Sequence, residues 1–314
     1  MYGQFFVIFA MIFTGFLLRK IGFIKEEMNN SLNKFIVYCA YPCLLAYNIG
    51  IMDMTVDFLL DFILMLCVSE VIILGFALYA RIYGKLRHFP VRVSNVIELS
   101  MTCPNNGFMG FPMGLAMLGS TGLFLMTAQN SAMNIFFFTY ALYALRRNNT
   151  NKNKLTVKAA AASVMKVILN PNIVALFVGL ALSLLHISLD NPIGVYLDYI
   201  GGAATPMAMI FIGSTLAGSN FLEMIRNRIV WEATIGKLII LPVLTAVIML
   251  FVPLSYEMKV IMVLGVCFPT AATVPMLAEQ EKQNHELSSK ILFFSTVLSM
   301  ATVPITITLI EALF

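Results

Sequence analysis

The residues best suited to hold a polar ligand lie in two short segments. They are Cys103-Pro104-Asn105-Asn106-Gly107-Phe108-Met109-Gly110-Phe111-Pro112 and Pro269-Thr270-Ala271-Ala272-Thr273-Val274-Pro275. Pro104 removes a backbone donor and disfavours helical geometry at Cys103. Asn105, Asn106 and Gly107 then tolerate non-helical backbone. Each segment is expected to interrupt a helix, with Pro104, Pro112, Pro269 and Pro275 as the breaking residues. A helix that restarts presents free N–H groups and a partial positive charge. Two such restarts facing one cavity favour an anionic or hydrogen-bond-accepting ligand. Asn105, Asn106, Thr270 and Thr273 would supply side-chain hydrogen bonds, with Gly107 and Ala271 completing the two stretches. A pair of purely structural kinks is the alternative reading.

Other polar residues sit in apolar surroundings. Thr127, Asn130, Ser131 and Asn134 recur at i, i+3, i+4 and i+7, one face of a helix, and Ser295, Ser299 and Thr302 form a similar stripe. Asn130 and Asn134 are expected to turn toward the interruptions; bonding between helices is the other use of such residues. Glu70, Glu98 and Lys237 are ionisable residues inside apolar runs, and intramembrane charges are functional candidates by default. They are candidates for coupling proton or charge movement to a transport step. A structural ion pair, or a Lys237 that reaches back to the interface, would account for them equally.

The elements that must position these residues follow from composition. Of 314 residues, 60% are hydrophobic and only 11% charged, and the mean hydropathy is +0.87. A soluble domain carries about a quarter charged residues. Continuous apolar runs of roughly 20 residues predict membrane-spanning helices, not the alternating strands of a barrel. Ten spans are expected, near 4–19, 31–50, 57–80, 93–119, 121–145, 170–187, 195–218, 229–251, 257–279 and 287–313. Tyr2–Leu18 has no positive residue before it and is followed by Arg19 and Lys20, so it reads as a first span, not a cleaved leader. Cys39, Cys43, Cys67, Cys103 and Cys267 all fall within spans and read as small buried apolar residues. No Gly-x-Ser-x-Gly, His-Glu-x-x-His or paired intramembrane aspartates occur, and there are three histidines. No catalytic residue, metal site, cofactor or nucleic-acid partner is therefore expected.

All of the 20 lysines and arginines except Lys237 and Lys259 fall in or beside alternate connections between the spans. The positive-inside rule makes those connections cytoplasmic and places both termini outside. The two halves also resemble each other. Pro42 matches Pro206, Pro104 matches Pro269, Pro112 matches Pro275, and Asn130 and Asn134 match Ser295 and Ser299, all at offsets of 163–165. Five spans is an odd number, so the second copy inserts upside down. Residues 1–145 form the first five-helix repeat, 146–169 a basic cytoplasmic linker and 170–314 the inverted repeat. Inverted repeats with interrupted helices in matching places point to a secondary transporter.

Seven segments then carry a family likeness: Gly15–Ile24, Ala40–Leu45, Asn105–Pro112, Leu169–Ala175, Gly202–Ala208, Lys237–Pro242 and Pro269–Glu279. In this order and spacing the chain resembles the auxin efflux carrier family of bacterial and plant transporters over nearly its whole length. The resemblance implies an all-α fold of ten transmembrane helices related to bile-acid sodium symporters, with helices 4 and 9 broken and crossing. It implies a scaffold of helices 1, 2, 6 and 7, with helices 3–5 and 8–10 moving against it as an elevator. It implies secondary transport of a small organic anion, such as a dicarboxylate or an auxin-like acid, across the bacterial inner membrane. It allows contact with lipid and a homodimer through the scaffold helices. Pro104, Asn105, Asn106 and Pro269 are the crossover positions carried over. The sodium symporters place an acidic residue at the second crossover segment, and Thr270–Val274 has none. That departure argues for proton coupling or potential-driven transport over a sodium-coupled symporter; a transporter-derived sensor is a further alternative.

Overall fold

The computed structural model describes residues 2–147, 165–217 and 224–314. Among these the chain is all-helical, with one isolated β-bridge and no strand. Most of the expected linker, residues 148–164, lies outside the described residues. Among the described residues, five helices are long and apolar enough to cross a membrane: Val56–Leu86, Asn106–Arg146, Pro192–Ala217, Arg228–Phe251 and His285–Leu313. Large apolar side chains such as Val71, Phe177 and Phe251 lie exposed on the outside, a surface suited to lipid. The cysteines are free, but only Cys103 and Cys267 are buried, and Cys67 is exposed.

Length alone misses helices that are interrupted. Val91–Thr102 and Tyr256–Cys267 have 12 residues each. At 1.5 Å per residue that is about 18 Å, little over half of a hydrocarbon core about 30 Å thick. Conversely, Asn106–Arg146 contains a turn. Leu118 and Gly119 leave helical geometry there, and Gly119 takes φ 59°, a conformation that glycine adopts freely. The chain folds back on itself closely: a Cβ at Gly114 would stand 2.9 Å from the Gly122 carbonyl oxygen.

Prolines inside helices are absorbed in two ways. Pro42 and Pro242 cannot donate to the carbonyl four residues back, and a widened turn precedes each. Tyr41 donates its N–H to the Ile36 carbonyl, and Leu241 to that of Gly236, both five residues back, the signature of a π-turn. Pro206 instead falls in the first turn of Ala204–Ala217, where no intrahelical donor is needed.

The chain forms two compact units. One comprises residues 1–64, 107–128 and 168–219. Small residues let its helices touch: Gly15 abuts the Ile210 backbone, Gly213 that of Ile12, Gly201 that of Leu44, and Gly179 the Ile49 side chain. Such close approach replaces the hydrophobic driving force that lipid does not supply. Tyr41 is buried here, edge-on to Phe111 at 5.2 Å, and its hydroxyl donates to the Phe108 carbonyl at 3.3 Å.

The other unit comprises 65–106, 129–167 and 220–314. Its apolar core gathers Ile73, Ala77, Leu99, Ala132, Met133 and Phe136 around Cys103, Ala271 and Val274. Residues 103–106 of the first interruption and all of the second, 269–275, lie inside this unit.

Candidate functional site

The two interruptions meet. Cys103 (φ −89°, ψ 103°) and Phe268 (φ −70°, ψ 153°) are extended, as a residue before proline prefers. Pro104 and Thr270 then pair as an antiparallel bridge. Asn105 donates its N–H to the Pro269 carbonyl at 2.8 Å, and Ala271 donates to that of Cys103 at 2.9 Å. Irregular backbone in apolar surroundings survives only where its polar groups find partners or a polar cavity. Here each interruption supplies partners for the other.

Thr270 fastens the crossing to both neighbouring helices. Its hydroxyl donates to the Ser100 carbonyl at 2.7 Å, one of the carbonyls left over near the end of Val91–Thr102. Its N–H donates to the Ser295 hydroxyl at 3.2 Å, and that hydroxyl donates in turn to the Leu292 carbonyl at 3.0 Å.

Helices resume directly after the bridge, at Asn106 as a π-turn and at Thr273 as an α-helix. Asn106 is 1% exposed, yet neither its amide nitrogen nor its amide oxygen has a hydrogen-bond partner. A buried amide left unpaired costs about 1–3 kcal/mol, so a partner from outside the chain is a physical explanation for it. Beside it a Cβ built on Gly107 would meet no atom within 4 Å.

The other expected site residues fall out as follows. Asn105, Thr270 and Ala271 are buried at the crossing, whereas Thr273 is exposed. Asn130 is buried and Asn134 half-buried. Pro104 and Pro269 mark the interruptions. Pro112 lies past the π-turn in the resumed helix, and Pro275 is the third residue of Thr273–Gln280. Both are thus positions that a resumed helix tolerates.

The three ionisable residues differ. Glu98 is fully buried, paired with Arg147 at 2.9 Å, and it accepts from the Tyr140 hydroxyl at 2.7 Å. Arg147 also donates to Asn95 at 2.6 Å. Glu70 is half-buried and its Oε1 has no partner. Lys237 is 1% exposed within the π-turn Gly236–Ile240.

One residue escaped the sequence reading. Gln129 lies off the Thr127–Asn134 stripe, yet it is buried and donates to the Met262 carbonyl at 3.2 Å. Its amide fills the space that a Cβ at Gly265 would need, three residues before Phe268. A glutamine in an apolar run was the available signal; its glycine partner lies 136 positions away in sequence.

The model of a family described as "Membrane transport protein" matches residues 1–307. A protein of Rhizobium meliloti (strain 1021), whose name proposes malonate as its cargo, is 27% identical over 299 residues, covering 94% of this chain and 91% of the relative. An uncharacterized transporter of Methanothermobacter thermautotrophicus is 22% identical over 303 residues, covering 95% and 94%. An uncharacterized transporter of Methanocaldococcus jannaschii is 23% identical over 305 residues, covering 95% and 94%. With the family match across nearly the whole chain and apolar helices of spanning length, the chain is an integral membrane protein and belongs to the membrane transport protein family, that of the auxin efflux carriers.

Proposed function

We propose that this chain is a secondary active carrier for a small organic anion and binds its substrate where the two interruptions cross. The observation that carries this reading is Asn106, buried with both amide atoms unpartnered beside the bridge of Pro104 and Thr270. Helices restart immediately after both sides of that bridge, and helix starts favour anions. The relative whose name proposes malonate transport makes malonate the first substrate to try.

The finer architecture is part of the same proposal. Ten helices form two inverted five-helix repeats, with Val91–Thr102 and Tyr256–Cys267 as the first arms of broken helices 4 and 9. Helices 3–5 and 8–10 carry the site past the scaffold of helices 1, 2, 6 and 7. The carrier sits in the inner membrane with both termini outside, and the alternate placement of lysine and arginine supports that orientation. The substrate contacts are Asn105, Asn106, Gly107, Thr270, Ala271 and Thr273, with Asn130 and Asn134 behind them. Coupling runs through protons or the membrane potential. Of the three ionisable candidates, Glu98 is committed to Arg147, which leaves Glu70 and Lys237.

Uptake of labelled malonate and a panel of mono- and dicarboxylates into liposomes holding the purified chain tests this. The reading expects saturable uptake in sodium-free buffer. Uptake that requires sodium would replace it with the symporter reading, and binding without flux would replace it with a sensor.

A further inference from the structure

Lys237 is a buried lysine that has no ion pair or hydrogen bond among the described residues. Its π-turn packs against Arg228–Ile235, Val91–Thr102, Tyr256–Cys267 and His285–Leu313. The charged groups on those elements are engaged elsewhere or lie apart from it. Glu98 is held by Arg147 and Tyr140. Glu232 is held by Arg87, Arg228 and Tyr83, and Glu286 by Lys290. Arg92, Glu257, Lys259, His285 and Glu311 make no hydrogen bond or ion pair with Lys237 among the described residues. The neighbours of Lys237 include the buried Cys103 and Cys267, and the adjacent Gly236 lies against the side chain of Met101, two residues before Cys103.

Those two cysteines are the telling neighbours. They stand 164 positions apart, the spacing of the internal repeat, and each closes the half-helix just ahead of its proline. Lys237 therefore sits beside the carboxyl ends of both half-helices. Each such end carries a partial negative charge of roughly half an electron, which compensates the ammonium in part. A lysine buried in a membrane protein without an acid partner is costly, and such residues mark ion or substrate pathways.

We propose that Lys237 is a charge-selecting residue of the crossing, and that the counter-ion it lacks is a carboxylate of the transported molecule. The inference rests on the organic-anion reading of the same site. Lys237 acts through the electrostatic potential at the crossing, where it offsets the carboxyl ends of the half-helices and leaves the restarted helices to attract the anion. A positive potential acts on a dianion twice as strongly as on a monoanion. The lysine accordingly favours a substrate with two carboxylates over its monoanionic counterpart.

Calorimetric titration of the purified full chain with malonate and with its monoamide, malonamate, tests the inference. For Lys237→Met we expect malonate affinity to fall about tenfold and malonamate affinity about threefold, the square relation that one lost charge imposes on two. Lys237→Arg keeps the wild-type preference for malonate. Equal losses for the two ligands in Lys237→Met, or an unchanged preference, overturn the proposal. If Lys237→Met does not fold, Lys237→Arg decides: a preserved preference supports the proposal, and a lost preference with the charge retained overturns it. A wild-type chain that binds neither ligand sinks the organic-anion reading and this inference with it. Wild-type binding with unaltered preference in Lys237→Met sinks this inference alone.

Discussion

Asn105 donates its backbone N–H to the carbonyl of Pro269 at 2.8 Å, although 164 positions separate the two residues. The bond joins one interrupted helix to the other at the point where each has lost its own ladder. It explains why both interruptions carry a proline followed by small or polar residues. The proline ends the helix, the residue before it extends, and the extended pieces satisfy each other. The Asn106 side chain is thereby left without a hydrogen-bond partner.

The Thr270 hydroxyl is a strut of this arrangement, because it takes up the Ser100 carbonyl at 2.7 Å. Thr270→Val keeps the shape and removes the donor, leaving that carbonyl unsatisfied. Thermal unfolding of the purified protein should report a loss of about 1–3 kcal/mol, and Thr270→Ser should recover most of it. Equal stability of Thr270→Val and wild type would contradict the role.

Gly265 and Gln129 should behave as a pair. A methyl group at Gly265 meets the Gln129 amide, so Gly265→Ala should destabilise by about 1–3 kcal/mol through overpacking. Shortening the partner in Gln129→Ala, Gly265→Ala should return part of that loss. A double-mutant cycle measures the coupling, and additive effects would show that the two side chains do not compete for the space.

The buried pair of Glu98 and Arg147 predicts an asymmetry. Arg147→Met strands a carboxylate with no exposed surface and should cost about 3–5 kcal/mol. Replacing both residues by methionine should cost less than that single change. Detergent-solubilised thermal melts of the three variants are sufficient, and a double variant worse than the single would overturn the prediction.

Much of this was legible in the sequence, and the reasons are local. Pro104 and Pro269 announce their interruptions because proline acts on its own residue and the one before it. Gly119 sits at the turn expected between residues 119 and 121 for the same kind of reason. Pro112 and Pro275 were expected as breaks and instead lie inside resumed helices: Pro112 follows the π-turn Asn106–Gly110 as Pro42 and Pro242 follow theirs, and Pro275 falls in a first turn, where a proline forfeits little. The widened turns at Ile36–Ala40 and Gly236–Ile240 were not foreseen, because how a helix absorbs a proline depends on its neighbours. Partnerships across the chain, such as Thr270 with Ser100, Gln129 with Gly265 and Glu98 with Arg147, have no signature in either residue alone. Glu98 illustrates the gap: its apolar context marked it as unusual, and only its partners show how it is held.

The central claim is that the crossing is the substrate site, and Asn106 tests it most directly. Its amide contributes no hydrogen bond to the fold, so Asn106→Ala should melt within a few degrees of wild type, or above it. Substrate-evoked current and labelled malonate uptake should be recorded from liposomes holding each protein at matched amounts. The account predicts a saturable signal in wild type and a loss of tenfold or more in Asn106→Ala, about 1.4 kcal/mol of substrate stabilisation or greater. Full transport by a well-folded Asn106→Ala would contradict it and move the site away from the crossing.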